Sequence, residues 1–174
     1  MCGIVGAVGH VDCSQALIDA LKRLEYRGYD SSGVVTIHKG KIGLRRSVGK
    51  LANLCRELRN TALNGDIGIG HTRWATHGGV TTENAHPHVA SGRVAIVHNG
   101  IIENHRAIRE RLEAAGHSFG SDTDSEVLAH LFVEAFDAGL EPVAAARHVI
   151  SQIDGAYARS EEHTSELQSP DHLV

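Results

Sequence analysis

The clearest chemical potential lies in the cysteine that directly follows the initiator methionine, in the segment Met1-Cys2-Gly3-Ile4-Val5-Gly6. Ordinary removal of Met1 would leave Cys2 with both a thiol and a free α-amine. An α-amine has a pKa of about 7.7–8.0, so near pH 7 part of it is unprotonated and can accept the thiol proton. The arrangement is typical of a nucleophile activated by the N-terminal amine. A cysteine at this position is also a common accident of translation starts, so the segment alone leaves both interpretations open.

A second chemical candidate is the polar stretch His71 to Gly79, which follows a predicted strand that starts at Ile67–Gly70. The planar guanidinium of Arg73 can bind a carboxylate through two hydrogen bonds. Gly78 and Gly79 would let the following loop move, which favours a substrate clamp with a lid. The alternative is an exposed loop whose Trp74 covers an edge of the core.

Two further groups could act on a bound substrate. Asn99 and Gly100 follow a predicted strand over Arg93–Val97, and an amide side chain beside a glycine N–H makes a good oxyanion hole. Asn-Gly is also the strongest two-residue hairpin signal, so a simple turn is the alternative. Asp124 lies in Thr123-Asp124-Ser125-Glu126, which predicts a helix capping box, but its carboxylate could equally receive an ammonium group.

The number of histidines raises the possibility of a metal site. The chain has 13, and the candidate ligands are His71, His77, His86, His88 and His98. On an extended chain His86 and His88 would face opposite sides, which suits chelation poorly. No acidic or cysteine partner stands at ligand spacing, so neither a metal nor a cofactor is predicted.

The composition excludes several classes of protein. The 174 residues suit one domain, and 41% of them are hydrophobic. A net charge of −4 without a basic segment argues against nucleic acid as a partner. No apolar run approaches the ~20 residues of a membrane span, and no signal peptide is expected. Cys2, Cys13 and Cys55 are odd in number and form no CxxC, which favours the cytoplasm.

The spacing of apolar residues predicts the elements that must hold these groups. Helices are expected over 12–24, 51–58, 101–115, from 123 to 136, and from 142 to 153; strands are expected over 3–8, 33–38, 42–48, from 67, over 93–97, and from 155.

Taken together, six segments in chain order from Met1 to about Ala158 resemble the class II glutamine amidotransferases. They are Met1–Gly6, Leu24–Ser31, Thr72–Gly78, Asn84–His88, His98–Asn104 and Ser121–Glu126. The sequences of His71–Gly78 and His98–Asn104 are similar to those of the members that convert fructose 6-phosphate to glucosamine 6-phosphate. The resemblance implies an α+β fold of the N-terminal-nucleophile hydrolase type, an αββα sandwich of two antiparallel sheets between helix layers.

The same resemblance implies roles for nine residues. Cys2 would be the nucleophile with its own amine as base, and Asn99 and Gly100 would form the oxyanion hole. Substrate would be bound by Arg73, Trp74, Thr76, His77, His86 and Asp124, with Arg73 on the α-carboxylate of L-glutamine and Asp124 on its α-ammonium. A second, sugar-isomerase domain, absent from this chain, would bind fructose 6-phosphate, and the full-length protein would be a homodimer.

The last sixteen residues depart from the family. After Tyr157 the family continues with apolar residues, whereas Arg159–Ser169 is polar and resembles the translation of a common short-read sequencing adapter. We therefore expect residues 1–158 to be an incomplete amidotransferase domain, and residues 159–174 to be an assembly artefact with no function.

Three alternatives remain at this point. Within the class, the chain could be the glutaminase half of amidophosphoribosyltransferase or of another class II amidotransferase, although Trp74 and Asn84–His88 favour the fructose 6-phosphate members. From other classes, it could be a histidine-rich metal-binding module or an inactive fragment.

Overall fold

The computed structural model describes residues 2–9, 13–75, 78–155 and 157–158. Within them the chain forms five α-helices, a short 3₁₀ helix and eight strands, which makes it an α+β protein. The strands are β1 (Gly3–Val8), β2 (Ser31–His38), β3 (Lys41–Val48), β4 (Ile67–Arg73), β5 (His88–Ala90), β6 (Val94–Ile96), β7 (Asn99–Gly100) and β8 (Tyr157–Ala158). The helices are α1 (Cys13–Leu24), α2 (Leu51–Asn60), α3 (His105–Ala114), α4 (Glu126–Asp137) and α5 (Pro142–Ile150), and the 3₁₀ helix is Glu25–Arg27.

The largest sheet is antiparallel, with the strand order β1-β4-β2-β3. Its register places Gly3 opposite Thr72 and Ser31 opposite Arg73. Because neighbouring strands run in opposite directions, the end of β4 lies between the beginnings of β1 and β2. The residues just before β1 and just after β4 therefore meet at one edge of the sheet.

The two faces of this sheet are covered differently. Gly70 of β4 faces Leu21 of α1, within a core cluster that α1, α2 and the sheet build around Leu17 and Leu54. Because strand side chains alternate, His71 points to the opposite face. All six residues from Ser31 to Thr36 are buried, so both faces of β2 are covered.

A second core joins the three later helices. Its fully buried members are Ile102, Leu112, Val127, Ala145 and Val149, from α3, α4, α5 and the segment before α3. Two small antiparallel pairs, β5 with β6 and β7 with β8, lie beside it, and α4 packs on β5 and β6. None of the described helices has the length and apolar character that a membrane span requires.

Most predicted elements are confirmed to within a few residues, but the helix expected from Ile101 begins at His105. Backbone donors before it are used elsewhere: the N–H of Ile102 donates to Asp124 Oδ2 at 2.8 Å, and the N–H of Glu103 donates to the carbonyl of Asp154 at 2.8 Å. Long-range partners thus hold this apolar segment outside the helix. The strand β5 was not predicted.

The capping box predicted over 123–126 is wrong. Helix α4 begins at Glu126, and its N-cap residue, Ser125, makes no side-chain capping bond. The Glu126 carboxylate instead accepts the N–H groups of Gly120 at 2.9 Å and Ser121 at 2.7 Å. Glu126 therefore stabilises the loop before the helix, and the Asp124 carboxylate accepts the N–H of Ile102 instead of capping the helix.

Candidate active site

The thiol of Cys2 lies at the sheet edge where β1 begins and β4 ends. The backbone N–H of Trp74 donates to Cys2 Sγ at 3.1 Å, and the thiol reaches the carbonyl of Trp74 at 3.6 Å. The N–H of Gly3 donates to Thr72 Oγ1 at 3.2 Å, and a Cβ at position 3 would come within 2.7 Å of that oxygen. Glycine therefore lets the chain beside Cys2 approach β4, and the Trp74 N–H can stabilise negative charge on sulfur.

The side chain of Asn99 is fixed at both ends. Its Nδ2 donates to the carbonyl oxygen of Cys2 at 3.1 Å, and its Oδ1 lies 2.9 Å from His71 Nε2. Gly100 has a φ of +151°, a region that favours glycine. Asn99 and Gly100 form strand β7, so the interpretation of Asn-Gly as a hairpin turn is wrong.

The segment that follows Asn99 is held by the start of α4. Asp124, only 4% exposed, accepts the N–H of Ile102 at 2.8 Å and the hydroxyl of Ser125 at 3.2 Å. Ser125 Oγ in turn lies 2.9 Å from His98 Nδ1. Because the serine proton is directed at Asp124, His98 Nδ1 is the donor in that contact. The Asp124 carboxylate thus holds the chain on both sides of β7, at Ile102 directly and at His98 through Ser125.

The guanidinium of Arg73 is buried and bonded to the glycine loop. It donates to the carbonyls of Gly79 at 3.0 Å and Gly78 at 3.4 Å. Burial lowers the pKa of Arg73, whereas its electrostatic interactions with Cys2, Asp30 and Asp124 oppose that shift. Arg73 is therefore close enough to both Cys2 and Asp124 to interact with them electrostatically.

Two side chains, Asn84 and Asp30, hold the described segments before residue 76 and after residue 77. Asn84 donates from Nδ2 to the carbonyl of Gly79 at 3.1 Å and accepts the N–H of Asp122 at 2.8 Å. Asp30 accepts the N–H of Ala75 at 2.8 Å. The predicted loop residues Thr76 and His77 lie outside the described residues.

Trp74 lies at the surface of the site. Its side chain is 45% exposed, and its ring meets that of Tyr29 edge-on with 5.4 Å between the centroids. The alternative in which Trp74 merely covers a core edge finds no support in this exposed position. Its predicted part in substrate binding stays a prediction.

The histidines form a buried layer behind Asn99. The ring centroids of His71 and His86 lie 4.3 Å apart, and those of His86 and His88 lie 4.5 Å apart. The expectation that His86 and His88 face opposite sides is therefore wrong, because His86 lies in a bend and the extended chain begins only at His88. Among the described residues, no group of three or more His, Cys, Asp or Glu side chains is arranged to hold a metal.

Burial keeps this layer uncharged. It lowers the pKa of His71 to about 4 and that of His88 to about 3, and it lowers the pKa of His86 well below its usual value. The pKa of His98 is lowered by burial as well, against the opposing charge of Asp124. Thus at neutral pH the imidazoles of this layer are neutral.

Nearby Glu126 behaves in the opposite way. Burial by itself would raise the pKa of Glu126, but the nearby His130 imidazole, 3.8 Å away, and hydrogen bonds from Gly120 and Ser121 lower it to about 2. The carboxylate is therefore charged at neutral pH, and it holds the loop that leads to Asp124.

Sequence reasoning brought together Cys2, Arg73, Asn99, Gly100 and Asp124, and these residues do lie around the two strand ends just described. It missed the positions that hold them, His71 and Asp30. His71 was weighed only as a metal ligand. The one available signal was that it occurs two residues before Arg73 on the same strand, behind the site.

The fold and the site together define a class. A profile described as "Glutamine amidotransferase domain" matches residues 44–146. The chain belongs to this family, and the class implied by the motifs is confirmed.

The N-terminal-nucleophile type of fold is confirmed by similar solved structures. The glutamine phosphoribosylpyrophosphate amidotransferase from B. subtilis gives a TM-score of 0.75 at 26% identity, over 88% of this chain and 33% of that chain. An allosteric regulatory enzyme of purine biosynthesis gives 0.77 at 28% identity, over 89% and 34%.

Curated relatives are more similar in sequence. The glutamine–fructose-6-phosphate aminotransferases (isomerizing) of Mesorhizobium japonicum and Zymomonas mobilis are each 56% identical over 158 residues, 91% of this chain and 26% of the relative. That of Acinetobacter baylyi is 49% identical over all 174 residues, 28% of its own length. The chain thus spans about a quarter of the length of the curated relatives it matches.

The buried histidines predict an acid-sensitive stability. Folded His88 stays neutral down to about pH 3, whereas an unfolded histidine binds a proton at about pH 6.5. Between these values the unfolded chain binds more protons, so the free energy of unfolding falls as pH falls, by at most about 1.4 kcal/mol per pH unit for each such group. Denaturant titrations at pH 7.5, 6.5 and 5.5 measure this slope in a chimera in which residues 1–158 are followed by the C-terminal region of the Mesorhizobium japonicum relative. His88→Gln should reduce the slope by up to about one proton, and His148→Gln, at an exposed position of α5, should not. Equal slopes in both variants and the parent would contradict the assignment.

Proposed function

We propose that this domain hydrolyses L-glutamine with Cys2 as the nucleophile. One observation carries the proposal: the sulfur of Cys2 sits against the Trp74 N–H, while the Asn99 amide is fixed on the carbonyl of the same cysteine. A second N–H of that amide remains for a substrate oxygen. The nucleophile at the edge of the four-stranded sheet and the amide donor on β7 are therefore joined by a direct hydrogen bond.

Removal of Met1 supplies the base. The thiol proton passes to the freed α-amine, and the thiolate of Cys2 attacks the side-chain carbonyl of glutamine, forming a C–S bond. The developing oxyanion is stabilised by the second N–H of Asn99 and by the backbone at Gly100. The ammonium returns its proton to the leaving nitrogen, the C–N bond breaks, and ammonia departs. Water then adds to the thioester, the C–S bond breaks, and glutamate and the thiol are released.

Arg73 and Asp124 supply the charges that suit an amino acid. The Arg73 guanidinium now donates to the neutral carbonyls of Gly78 and Gly79. An α-carboxylate is a stronger acceptor for the same fork, so its binding would replace those bonds and free the glycine loop to close. Thr76 and His77 of that loop, with Trp74, would then cover the substrate, and Asp124 would receive its α-ammonium.

The wider reaction follows from the relatives. At 56% identity over 158 residues, the glutamine–fructose-6-phosphate aminotransferases are closer in sequence than the phosphoribosylpyrophosphate enzyme at 26%. We therefore favour transfer of the ammonia to fructose 6-phosphate in a sugar-isomerase region beyond this chain, in a cytoplasmic homodimer. Glutamine-dependent formation of glucosamine 6-phosphate by a chimera would test this choice. The chimera carries residues 1–158 of this chain followed by the corresponding C-terminal region of the Mesorhizobium japonicum relative.

The nucleophile is tested by Cys2→Ala in the chimera. The variant should lose glutamine hydrolysis and the glutamine-dependent synthase activity, while ammonia-dependent transfer should survive because free ammonia bypasses the thiol. Cys55→Ala is the matched control, since Cys55 packs at the margin of the α1–α2 core. Intact-mass analysis should find Cys2 at the N-terminus; retained hydrolysis in Cys2→Ala would refute the assignment.

Two substitutions separate substrate binding from catalysis. Arg73→Lys keeps the charge but loses the planar fork, so KM for glutamine should rise strongly. Asn99→Ala removes a donor to the oxyanion and should lower kcat by about 10²–10³. Steady-state kinetics of glutaminase activity in the chimera measure both effects. If Arg73→Lys changed mainly kcat and Asn99→Ala mainly KM, the two roles would have to be exchanged.

We further propose that residues 159–174 are not part of the domain and that residues 1–158 alone are incomplete. The tail has only three aliphatic residues, Leu167, Leu173 and Val174, and no alternating pattern. The β7–β8 and β5–β6 pairs have two strands each, and isolated two-stranded pairs are marginal in water.

Expression of residues 1–174 beside the chimera tests this. The 174-residue chain should be less soluble, melt without cooperativity and hydrolyse little glutamine, because burial lost at an open sheet edge competes with a net stability of only about 5–15 kcal/mol. A soluble, cooperatively melting and active 174-residue chain would contradict the proposal.

A further inference from the structure

One buried contact joins the histidine layer to the reacting end of the site. His71 Nε2 lies 2.9 Å from Asn99 Oδ1, and Asn99 Nδ2 donates to the carbonyl of Cys2 at 3.1 Å. An amide side chain can rotate by half a turn and exchange its oxygen and nitrogen with little change of shape. Which end faces Cys2 therefore depends on what the other end meets.

We infer that His71 is a positioning residue, which holds the Asn99 amide with its nitrogen towards Cys2 by donating an Nε2–H to Asn99 Oδ1. This inference rests on the proposed function, because it concerns the donor offered to the oxyanion. His71 itself touches neither substrate nor sulfur.

The surroundings of His71 favour this single arrangement. The side chain is fully buried on β4, so its imidazole cannot exchange partners with water. A neutral imidazole has one N–H, and an Nε2–H meets an amide oxygen but repels an amide N–H. The reversed amide would also point Asn99 Oδ1 at the carbonyl of Cys2, oxygen against oxygen. Both contacts therefore select the same orientation.

The register of the sheet links this orientation to the rest of the site. On β4, His71 is two residues from Arg73 and pairs across to Ile4 of β1, beside Cys2. The ring of His86 packs on His71 at 4.3 Å and limits its rotation. The strand that carries the carboxylate-binding arginine thus also carries the group that orients the oxyanion donor.

Two amide variants test the donor. The amide nitrogen of a glutamine can reach the place of the imidazole Nε2, whereas that of an asparagine reaches only the place of Nδ1. In the chimera, His71→Asn should lower kcat for glutamine hydrolysis by up to the 10²–10³-fold expected of losing one oxyanion donor, with KM within about threefold. His71→Gln should restore most of that loss. If His71→Gln is as slow as His71→Asn while both melt like the parent, the donor role is refuted.

A double-mutant cycle separates positioning from general packing. If His71 acts only through Asn99, His71→Asn combined with Asn99→Ala should be no slower than Asn99→Ala alone, because the group to be oriented is gone. Losses that multiply would overturn the inference. A low kcat for Asn99→Ala beside a normal kcat for His71→Asn would overturn it too, while leaving the proposed function intact.

If a variant fails to fold or the parent does not hydrolyse glutamine, the contact between His71 and Asn99 can be tested by NMR, which does not depend on enzyme activity. The imidazole ¹⁵N shifts of His71, assigned by their loss in His71→Gln, should show a protonated Nε2 and an unprotonated Nδ1 at pH 7. A proton on Nδ1 would refute the contact as described. Absence of hydrolysis in the parent chimera would instead count against the proposed function, and the two failures are thereby distinguished.

Discussion

The antiparallel pairing of β1 with β4 is the constraint on which the site depends. Gly3 faces Thr72 in this register, so Cys2 is placed beside the Arg73–Trp74 backbone before any side chain is considered. A slip of one residue would turn every side chain of β1 to the other face of the sheet. It would also remove Cys2 Sγ from the Trp74 N–H. The Cys2 thiol is therefore positioned by the backbone, and the side chains around it add charge and hydrogen bonds.

The second dependency is electrostatic. His71, His86 and His88 are buried in the layer behind the site, and burial disfavours the charged form of an imidazole. Their lowered pKa values are the consequence. The charge that the site does keep stands on Arg73 and Asp124, each 4% exposed and each hydrogen-bonded to backbone groups. The histidine layer is thus neutral, and the buried charges of the site are those of Arg73 and Asp124.

The sequence was sufficient for features that are local or carried by residue type. The position of Cys2 after Met1 and the Asn99–Gly100 pair identify candidate site residues by residue type. The helical periodicity of apolar residues predicts α1 and α4. It was insufficient where distant groups decide. The segment at Ile102 continues a helical apolar pattern, but Asp124 takes its N–H and excludes it from α3. The rings of His86 and His88 are in contact because the chain bends at His86. The alternation of side chains along a strand applies only to an extended chain, so it does not predict this contact.

Arg73 and Asn99 illustrate two ways of preparing a site in one fold. Asn99 is held at both ends by protein groups, so its side chain has a fixed orientation. Arg73 is held by neutral carbonyls of the Gly78–Gly79 loop, which are weaker acceptors than a carboxylate. A carboxylate that approached Arg73 would compete with these existing bonds. Because the bonds belong to the loop, the position of Arg73 and that of the loop are linked, whereas the hydrogen bonds of Asn99 do not involve the loop.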